Sequence, residues 1–125
     1  MIPAITDSIQ AYFDLMYDSD DTRFPAVFHE GAIVQGMRDG TLTIWSAQAF
    51  RDIMRSRPSP KSMQSPREEF ILRIDCTSQD LATAKVRVRI GQTRFIDELT
   101  LHRIEGRFMV TSKAFHVDSI IPPEA

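Results

Sequence analysis

Hydrophobic residues near the start of the chain recur every three or four positions. They are Ile5, Ile9, Tyr12, Phe13 and Met16, within the segment "ITDSIQAYFDLMYDSD". Because side chains on one face of an α-helix repeat with this spacing, the segment is predicted to form an amphipathic helix of about four turns. The apolar face of this helix would pack against the rest of the protein.

Two shorter helices are predicted in the next part of the chain. The acidic segment "DSDDTRF" offers helix-capping residues ahead of Phe24, Val27 and Phe28, which share one helical face. Ser46 is a candidate N-cap for the segment "AQAFRDIMRSR", and Pro58 would end that helix. The pattern therefore predicts three helices in the first half of the chain.

The remaining segments have the composition of β-strands. Two runs, "AIVQGM" and "TLTIWS", flank the hairpin turn signal Asp39-Gly40. Four later segments, "REEFILRIDCTS", "LATAKVRVRIG", "TRFIDELTLHRIE" and "GRFMVTSKAFHVD", are rich in β-branched residues and are separated by turn residues. They predict an antiparallel meander, and the proline- and serine-rich "SRPSPKSMQSP" before it predicts a loop.

Helices first and a meander last indicate an α+β domain in which helices cover one face of a sheet. With 125 residues, 42% of them hydrophobic, residues 1–125 are expected to form a single domain with its own core. Charged residues alternate with apolar ones in the second meander strand and predict a solvated or dimer-forming face. On that face Arg87 and Arg89 are expected opposite Glu98 and Thr100.

Charge and hydropathy exclude several classes of partner. The 15 basic and 17 acidic residues leave a net charge of -2, which argues against binding to nucleic acid or to an anionic membrane surface. No apolar run reaches the roughly 20 residues that span a bilayer, and the first residues do not resemble a signal peptide. A soluble cytoplasmic protein is therefore expected.

One residue breaks the apolar pattern of the segment "RFIDELTLHRIEG". In a strand, Phe95, Asp97, Leu99 and Leu101 would share a face, and three of these four residues are large and apolar. A buried carboxylate costs several kcal/mol unless it is compensated. Asp97 could accept structural hydrogen bonds, face a ligand pocket, or be turned outward by a bulge.

Several segments, taken in order, carry a resemblance to a known superfamily. They are "IQAYFDLMY", "FHEGAIVQG", "DGTLTIWS" and "DELTLHRIEGRFMV". Their order and spacing resemble the nuclear transport factor 2-like superfamily, which includes ketosteroid isomerases, polyketide cyclases, scytalone dehydratase and a branch named for lumazine binding. The resemblance implies a cone-shaped barrel of a curved antiparallel sheet with the three helices packed on its concave face. It also implies an apolar pocket and a homodimer formed through the sheet.

The resemblance to ketosteroid isomerase extends to individual positions. Tyr12 and Asp97 match the tyrosine and the neutral aspartic acid that form the oxyanion hole of that enzyme. Gly36 stands where the isomerase carries its general-base aspartate. Since glycine cannot accept a proton, isomerase activity of the family type is not expected, although the polar pair could still anchor a ligand. Asp97, Tyr12 and His29 are left as weak catalytic candidates.

The histidines allow more than one role. His29, after the short helix, could replace the missing base or could cap a helix end, and His116 lies in a segment whose two faces are both mixed. The three histidines, which include His102, have no metal-site spacing, and no metal or cofactor is predicted. The basic loop residues Arg55, Arg57, Lys61 and Arg67 could contact an anionic ligand at the mouth of a pocket, but they are expected at the solvated surface.

The function predicted from the sequence is the binding of a small, largely apolar molecule. An isomerase, cyclase or dehydratase that uses acid-base chemistry is one alternative, and a protein-interaction module is another. Aromatic and methionine side chains suit either a core or an adaptable pocket. The candidate ligand-binding residues are Tyr12, Asp97, Met16, Phe28, His29, Trp45, Phe50, Met54, Phe95 and His116.

Overall fold

The computed structural model describes residues 1–123, which form three α-helices and a six-stranded sheet. This arrangement confirms the predicted α+β class. No helix in this part of the chain is long and apolar enough to cross a membrane. The helices are α1 (Ile2–Asp18), α2 (Phe24–Val27) and α3 (Ala47–Ser56), and the strands are β1 (Phe28–Arg38), β2 (Thr41–Ser46), β3 (Glu69–Cys76), β4 (Leu81–Ile90), β5 (Thr93–Ile104) and β6 (Arg107–Ile120).

Helices α1 and α3 form as their sequences predict. All five residues of the predicted apolar face of α1 are buried, and Leu15 is buried with them. At the start of α3, the hydroxyl of Ser46 accepts a hydrogen bond from the backbone N–H of Ala49 at 3.1 Å. Because Pro58 disfavours helical backbone in the residue before it, Arg57 is extended and α3 ends.

Helix α2 is shorter than the apolar spacing predicts. A 3₁₀ turn at Asp21–Arg23 precedes it, and α2 then spans only Phe24–Val27. Phe28 has extended backbone and begins β1, where it pairs with Val110 of β6. A pairing with a distant strand therefore overrides the local helical spacing at Phe28.

The sheet has the strand order β2-β1-β6-β5-β4-β3. All neighbouring strands are antiparallel except β1 and β6, which run parallel, a pairing that the predicted antiparallel sheet did not include. The sheet is curved and does not close, since β2 and β3 form its two edges. Helix α1 contacts β4 and β6 and helix α3 contacts β1 and β2, so the core lies between the helices and the sheet.

The turn between β4 and β5 fixes how the charged residues of these strands pair. Ile90 pairs with Thr93 across a two-residue turn, which places Lys85 opposite Glu98 at 3.6 Å between Nζ and Oε1. The sequence-based pairing of Arg87 and Arg89 with Glu98 and Thr100 is wrong. These arginines instead lie opposite Ile96 and Arg94, respectively. The tight turn shifts the register from the one that was assumed.

Strand β6 carries one extra residue relative to β5. Leu101 pairs with Val110, but Thr100 pairs with Ser112, so Thr111 has no opposite residue. Such a β-bulge exchanges the faces of all residues beyond it, because side chains alternate along a strand. The second half of β6 therefore presents the other set of side chains to the core.

The residues brought inward by this bulge include a lysine. Lys113 pairs with Leu99, and Phe115 pairs with Asp97. All four side chains are buried, whereas His116 is exposed on the opposite face of the sheet. The bulge thus places Lys113 and Asp97 together on the inner face.

Gly36 of β1 is covered by a side chain from the neighbouring strand. It pairs with Phe115 of β6, and a Cβ atom at Gly36 would lie 2.5 Å from the ring of Phe115. Heavy atoms do not approach so closely without displacement, so only glycine lets the ring lie across β1 at this point.

We expect Gly36→Ala to lower the free energy of unfolding by about 1–3 kcal/mol, because the added methyl group must displace the Phe115 ring. Urea denaturation measures this cost. In a Phe115→Ala background the ring is absent, and the same substitution should cost much less. An equal cost in both backgrounds would show that Phe115 is not the group that excludes a side chain.

Candidate functional site

Two charged side chains are buried together on the inner face of the sheet. Asp97 is 1% exposed and Lys113 is 4% exposed. The ammonium nitrogen of Lys113 lies 3.6 Å from Oδ2 of Asp97. Burial of either charge alone would cost several kcal/mol, and the attraction between the two charges offsets part of that cost. The burial of each charged side chain therefore depends on the presence of the other.

Tyr12 completes this buried cluster from helix α1. Its hydroxyl is buried and donates a hydrogen bond to Oδ2 of Asp97. Burial raises the pKa of Tyr12 well above its usual value, and the carboxylate of Asp97 raises it further. Tyr12 thus keeps its proton and acts as a donor to Asp97. The structure brings together the two residues that the sequence singled out.

The ammonium group of Lys113 has mostly apolar neighbours apart from Asp97. It lies 3.6 Å from the sulfur of Met16, and 4.7 Å and 5.2 Å from the ring centres of Phe50 and Tyr12. Burial lowers the pKa of Lys113, while Asp97 opposes this effect and Arg57 adds to it. Lys113 therefore has one carboxylate partner and unused capacity to donate hydrogen bonds.

Asp97 also has unused hydrogen-bonding capacity. Its Oδ2 atom contacts both Tyr12 and Lys113, but its Oδ1 atom is buried without a hydrogen-bond partner in residues 1–123. Buried carboxylate oxygens are usually satisfied, so an unpartnered one is typical of a functional cluster more than of a purely structural ion pair.

A cavity of about 360 Å³ lies beside Lys113. This volume is within the range of pockets that hold small molecules, roughly 300–1,000 Å³. Most of the lining is aromatic or aliphatic, but three side chains are cationic. The lining residues are Arg38, Trp45, Phe50, Ile53, Arg57, Ile90, Phe95, Lys113 and Phe115.

The aromatic rings of the lining pack against one another. The rings of Trp45 and Phe115 are stacked, with centres 5.7 Å apart and planes inclined by 14°. Phe50 lies 6.3 Å from Trp45, and Phe95 meets Phe115 edge-on at 6.2 Å. Flat, rigid surfaces of this kind favour a planar ligand, because stacking needs little loss of side-chain freedom.

Three of the candidate ligand-binding residues, Trp45, Phe50 and Phe95, line this cavity. Tyr12 and Asp97 do not line it; both contact Lys113, which does. The cluster therefore reaches the cavity through its lysine.

The other candidates lie elsewhere. Met16 and Met54 are buried in the core. Phe28 and His29 line a second cavity of about 350 Å³, which shares no lining residue with the first. His116 is exposed on the outer face of the sheet. The structure thus brings neither histidine to the cavity beside Lys113.

None of the three cationic residues of the lining was among the candidate ligand-binding residues. Lys113 was missed because its face depends on the bulge at Thr111. Arg38 follows the apolar run of β1 and precedes the hairpin turn, which gives no sign of a pocket. Arg57 was expected at the solvated surface, but it is half-buried. The one local signal for Arg57 is Pro58, which ends α3 and redirects the chain.

Neither position that the sequence suggested for a base brings a proton acceptor to the cavity beside Lys113. Gly36 supplies no proton acceptor, and the Phe115 ring occupies the space where a side chain would start. His29, the proposed replacement, lies in the other cavity. Within residues 1–123, no three His, Cys, Asp or Glu side chains converge to form a metal site.

Comparison with known proteins supports the resemblance seen in the sequence. Residues 1–116 match the model of a family described as "Putative lumazine-binding". No curated protein matches the chain.

Solved structures show the same fold. An NTF-2 like protein of unknown function from Silicibacter pomeroyi DSS-3 is 23% identical, with a TM-score of 0.83 over 93% of this chain and 94% of that chain. An NTF2-like protein of unknown function from Shewanella baltica OS155 is 27% identical, with a TM-score of 0.79 over 94% of both chains. A ketosteroid isomerase-like protein from Erwinia carotovora atroseptica SCRI1043 is 11% identical, with a TM-score of 0.73 over 94% of this chain and 95% of that chain.

These structures confirm the nuclear transport factor 2-like fold that the sequence predicted. Because the family model matches residues 1–116, the chain belongs to the family described as "Putative lumazine-binding".

Proposed function

We propose that this protein binds a small, planar, largely apolar molecule in the cavity beside Lys113. The observation that carries the proposal is the lining of the cavity, in which four aromatic side chains surround a buried lysine. Apolar surfaces supply most of the binding free energy of such a ligand, and a few placed polar groups orient it. The family description agrees with a planar ligand of the lumazine type.

Lys113 is the polar group that contacts the ligand in this proposal. Its ammonium group donates a hydrogen bond to an oxygen of the ligand while Asp97 holds it from the other side. Tyr12 fixes the orientation of Asp97 through its hydroxyl. Tyr12 and Asp97, which the sequence suggested as direct ligand contacts, would therefore act through Lys113.

Binding is favoured over acid-base catalysis by the residues around the cavity. Removal of a proton from carbon needs a base within hydrogen-bonding distance of the substrate. The position of the family base is Gly36, and His29 lies in a different cavity. Asp97 does not line the cavity, and its Oδ2 atom is occupied by Tyr12 and Lys113. We propose accordingly that the protein retains its ligand unchanged.

We also propose that residues 1–125 act as one domain that pairs with a second copy through the outer face of the sheet. Four large apolar side chains, Ile33 and Met37 from β1 and Leu42 and Ile44 from β2, are exposed there. Ile44 and Leu42 lie opposite Gln35 and Met37 in the register, so the exposed groups form one patch. Contiguous apolar patches of this kind are typical of interaction surfaces.

Lumazine should bind the purified protein saturably and quench the fluorescence of Trp45, the only tryptophan of the chain. Phe115→Ala and Lys113→Met should each weaken binding about tenfold or more, because they remove a stacking surface and a charged donor, respectively. Fluorescence titration measures the dissociation constants. Native mass spectrometry of the protein as purified tests for a compound that is already bound.

Phe70→Ala is the matched control, because Phe70 is an exposed aromatic residue of β3 outside the cavity. This variant should bind lumazine like the wild type. If neither lumazine nor any other planar aromatic compound tested binds and no compound co-purifies, the proposed function is wrong. If a different compound co-purifies and is lost in Phe115→Ala, the cavity is the binding site and lumazine is not its ligand.

The double variant Leu42→Asp/Ile44→Asp should convert a dimer into a monomer, because two carboxylates would be desolvated in the paired surface. Sedimentation velocity measures the mass. Met63→Asp, which changes an equally exposed apolar residue in the loop before β3, should leave the dimer intact. A monomeric wild-type protein at high micromolar concentration would contradict self-association through this face.

A further inference from the structure

Among the residues that the structure describes, two arginines of the binding cavity have no acidic partner. Within residues 1–123, nine of the twelve arginines lie within 4.0 Å of a carboxylate oxygen, and the exceptions are Arg38, Arg57 and Arg107. Arg38 and Arg57 both line the cavity beside Lys113, whereas Arg107 is exposed and lies elsewhere. Unpaired arginines are thus concentrated at one place in the structure.

Arg57 is held at the cavity by the end of helix α3. It is the first residue beyond the helix, and its backbone is extended ahead of Pro58. Its side chain is half-buried, and its Nε atom is buried without a hydrogen-bond partner. Burial lowers the pKa of Arg57, and the nearby charge of Arg38 lowers it further. Within residues 1–123, this guanidinium group has no carboxylate partner.

Arg38 is held at the cavity by aromatic rings. Its guanidinium carbon lies 5.7 Å from the ring centre of Trp45 and 5.6 Å from that of Phe115. Guanidinium groups are attracted to aromatic faces at this distance while their N–H groups remain free to donate. The charge of Arg38 is thereby fixed beside the stacked rings.

The charges around the cavity do not balance. Arg38, Arg57 and Lys113 contribute three positive charges to the lining. Asp97, the carboxylate that pairs with Lys113, also contacts Tyr12 and does not line the cavity. Within residues 1–123, the exposed guanidinium group of Arg38 and the half-buried one of Arg57 are therefore left without a counter-charge. At Arg57, burial makes charge pairing more favourable than in water.

We propose that the molecule bound in this cavity is an aromatic carboxylate, whose ring packs on the aromatic lining and whose carboxylate accepts hydrogen bonds from Arg57 and Arg38. This inference rests on the proposed function and specifies the class of ligand for the same site. The guanidinium fork matches the two oxygens of a carboxylate, so two arginines in the lining of an aromatic cavity select an aromatic anion over a neutral analogue.

The test compares two ligands of nearly the same shape, 2-naphthoate and 2-naphthamide, by isothermal titration calorimetry. Wild-type protein should bind the carboxylate about tenfold or more tightly than the amide, because only the carboxylate makes charge-assisted hydrogen bonds. In Arg57→Met and Arg38→Met this ratio should fall toward one. The affinity for the amide should change little, which shows that the cavity is intact.

Arg107→Met is the matched control, since Arg107 is also unpaired but does not line the cavity. This variant should keep the wild-type ratio. The carboxylate inference would be overturned if the wild-type protein bound 2-naphthoate and 2-naphthamide equally well. It would also be overturned if the preference for the carboxylate persisted in both arginine variants. Lumazine binding without naphthoate binding would also overturn it and would leave the proposed function standing. If lumazine, 2-naphthoate and 2-naphthamide all fail to bind, and no compound co-purifies, both proposals are contradicted.

Discussion

The ion pair of Asp97 and Lys113 is the interaction on which the interior of this protein depends. Both side chains are almost fully buried, and the loss of hydration makes either charge unfavourable without the other. The pair joins β5 to β6, and Tyr12 ties it to helix α1 through the hydroxyl. One polar cluster therefore links the sheet to the longest helix across an otherwise apolar core.

The same cluster separates the packed core from the cavity. On one side, the ring of Tyr12 and the sulfur of Met16 pack against Lys113. On the other side, Lys113 joins Trp45, Phe115 and their aromatic neighbours in the lining. Phe115 can occupy this place only because Gly36 has no side chain. The lack of a side chain at Gly36 thus makes room for one aromatic wall of the cavity.

Local sequence patterns predicted most of the secondary structure. Helical spacing placed α1, the Ser46 cap and Pro58 placed α3, and turn residues separated the meander strands. These signals are reliable because they reflect contacts between residues near in sequence. The structure differs from these predictions where pairing between strands distant in sequence determines the backbone conformation or the register. Phe28 leaves the helix to pair with β6, β1 runs parallel to β6, and Arg87 and Arg89 lie opposite residues other than those expected.

For the candidate site, the sequence by itself indicated that Asp97 was out of place on an apolar face, and the resemblance to ketosteroid isomerase paired it with Tyr12. It could not assign Lys113, because side-chain alternation carried along β6 from Val110 puts this lysine on the outer face. The bulge at Thr111 reverses that alternation, turning Lys113 and Phe115 inward and His116 outward. Residue types and their spacing determined the helices, the strands and one unusual carboxylate. The tertiary structure alone decided which cations face the cavity, because a one-residue shift between paired strands leaves no mark in the local pattern.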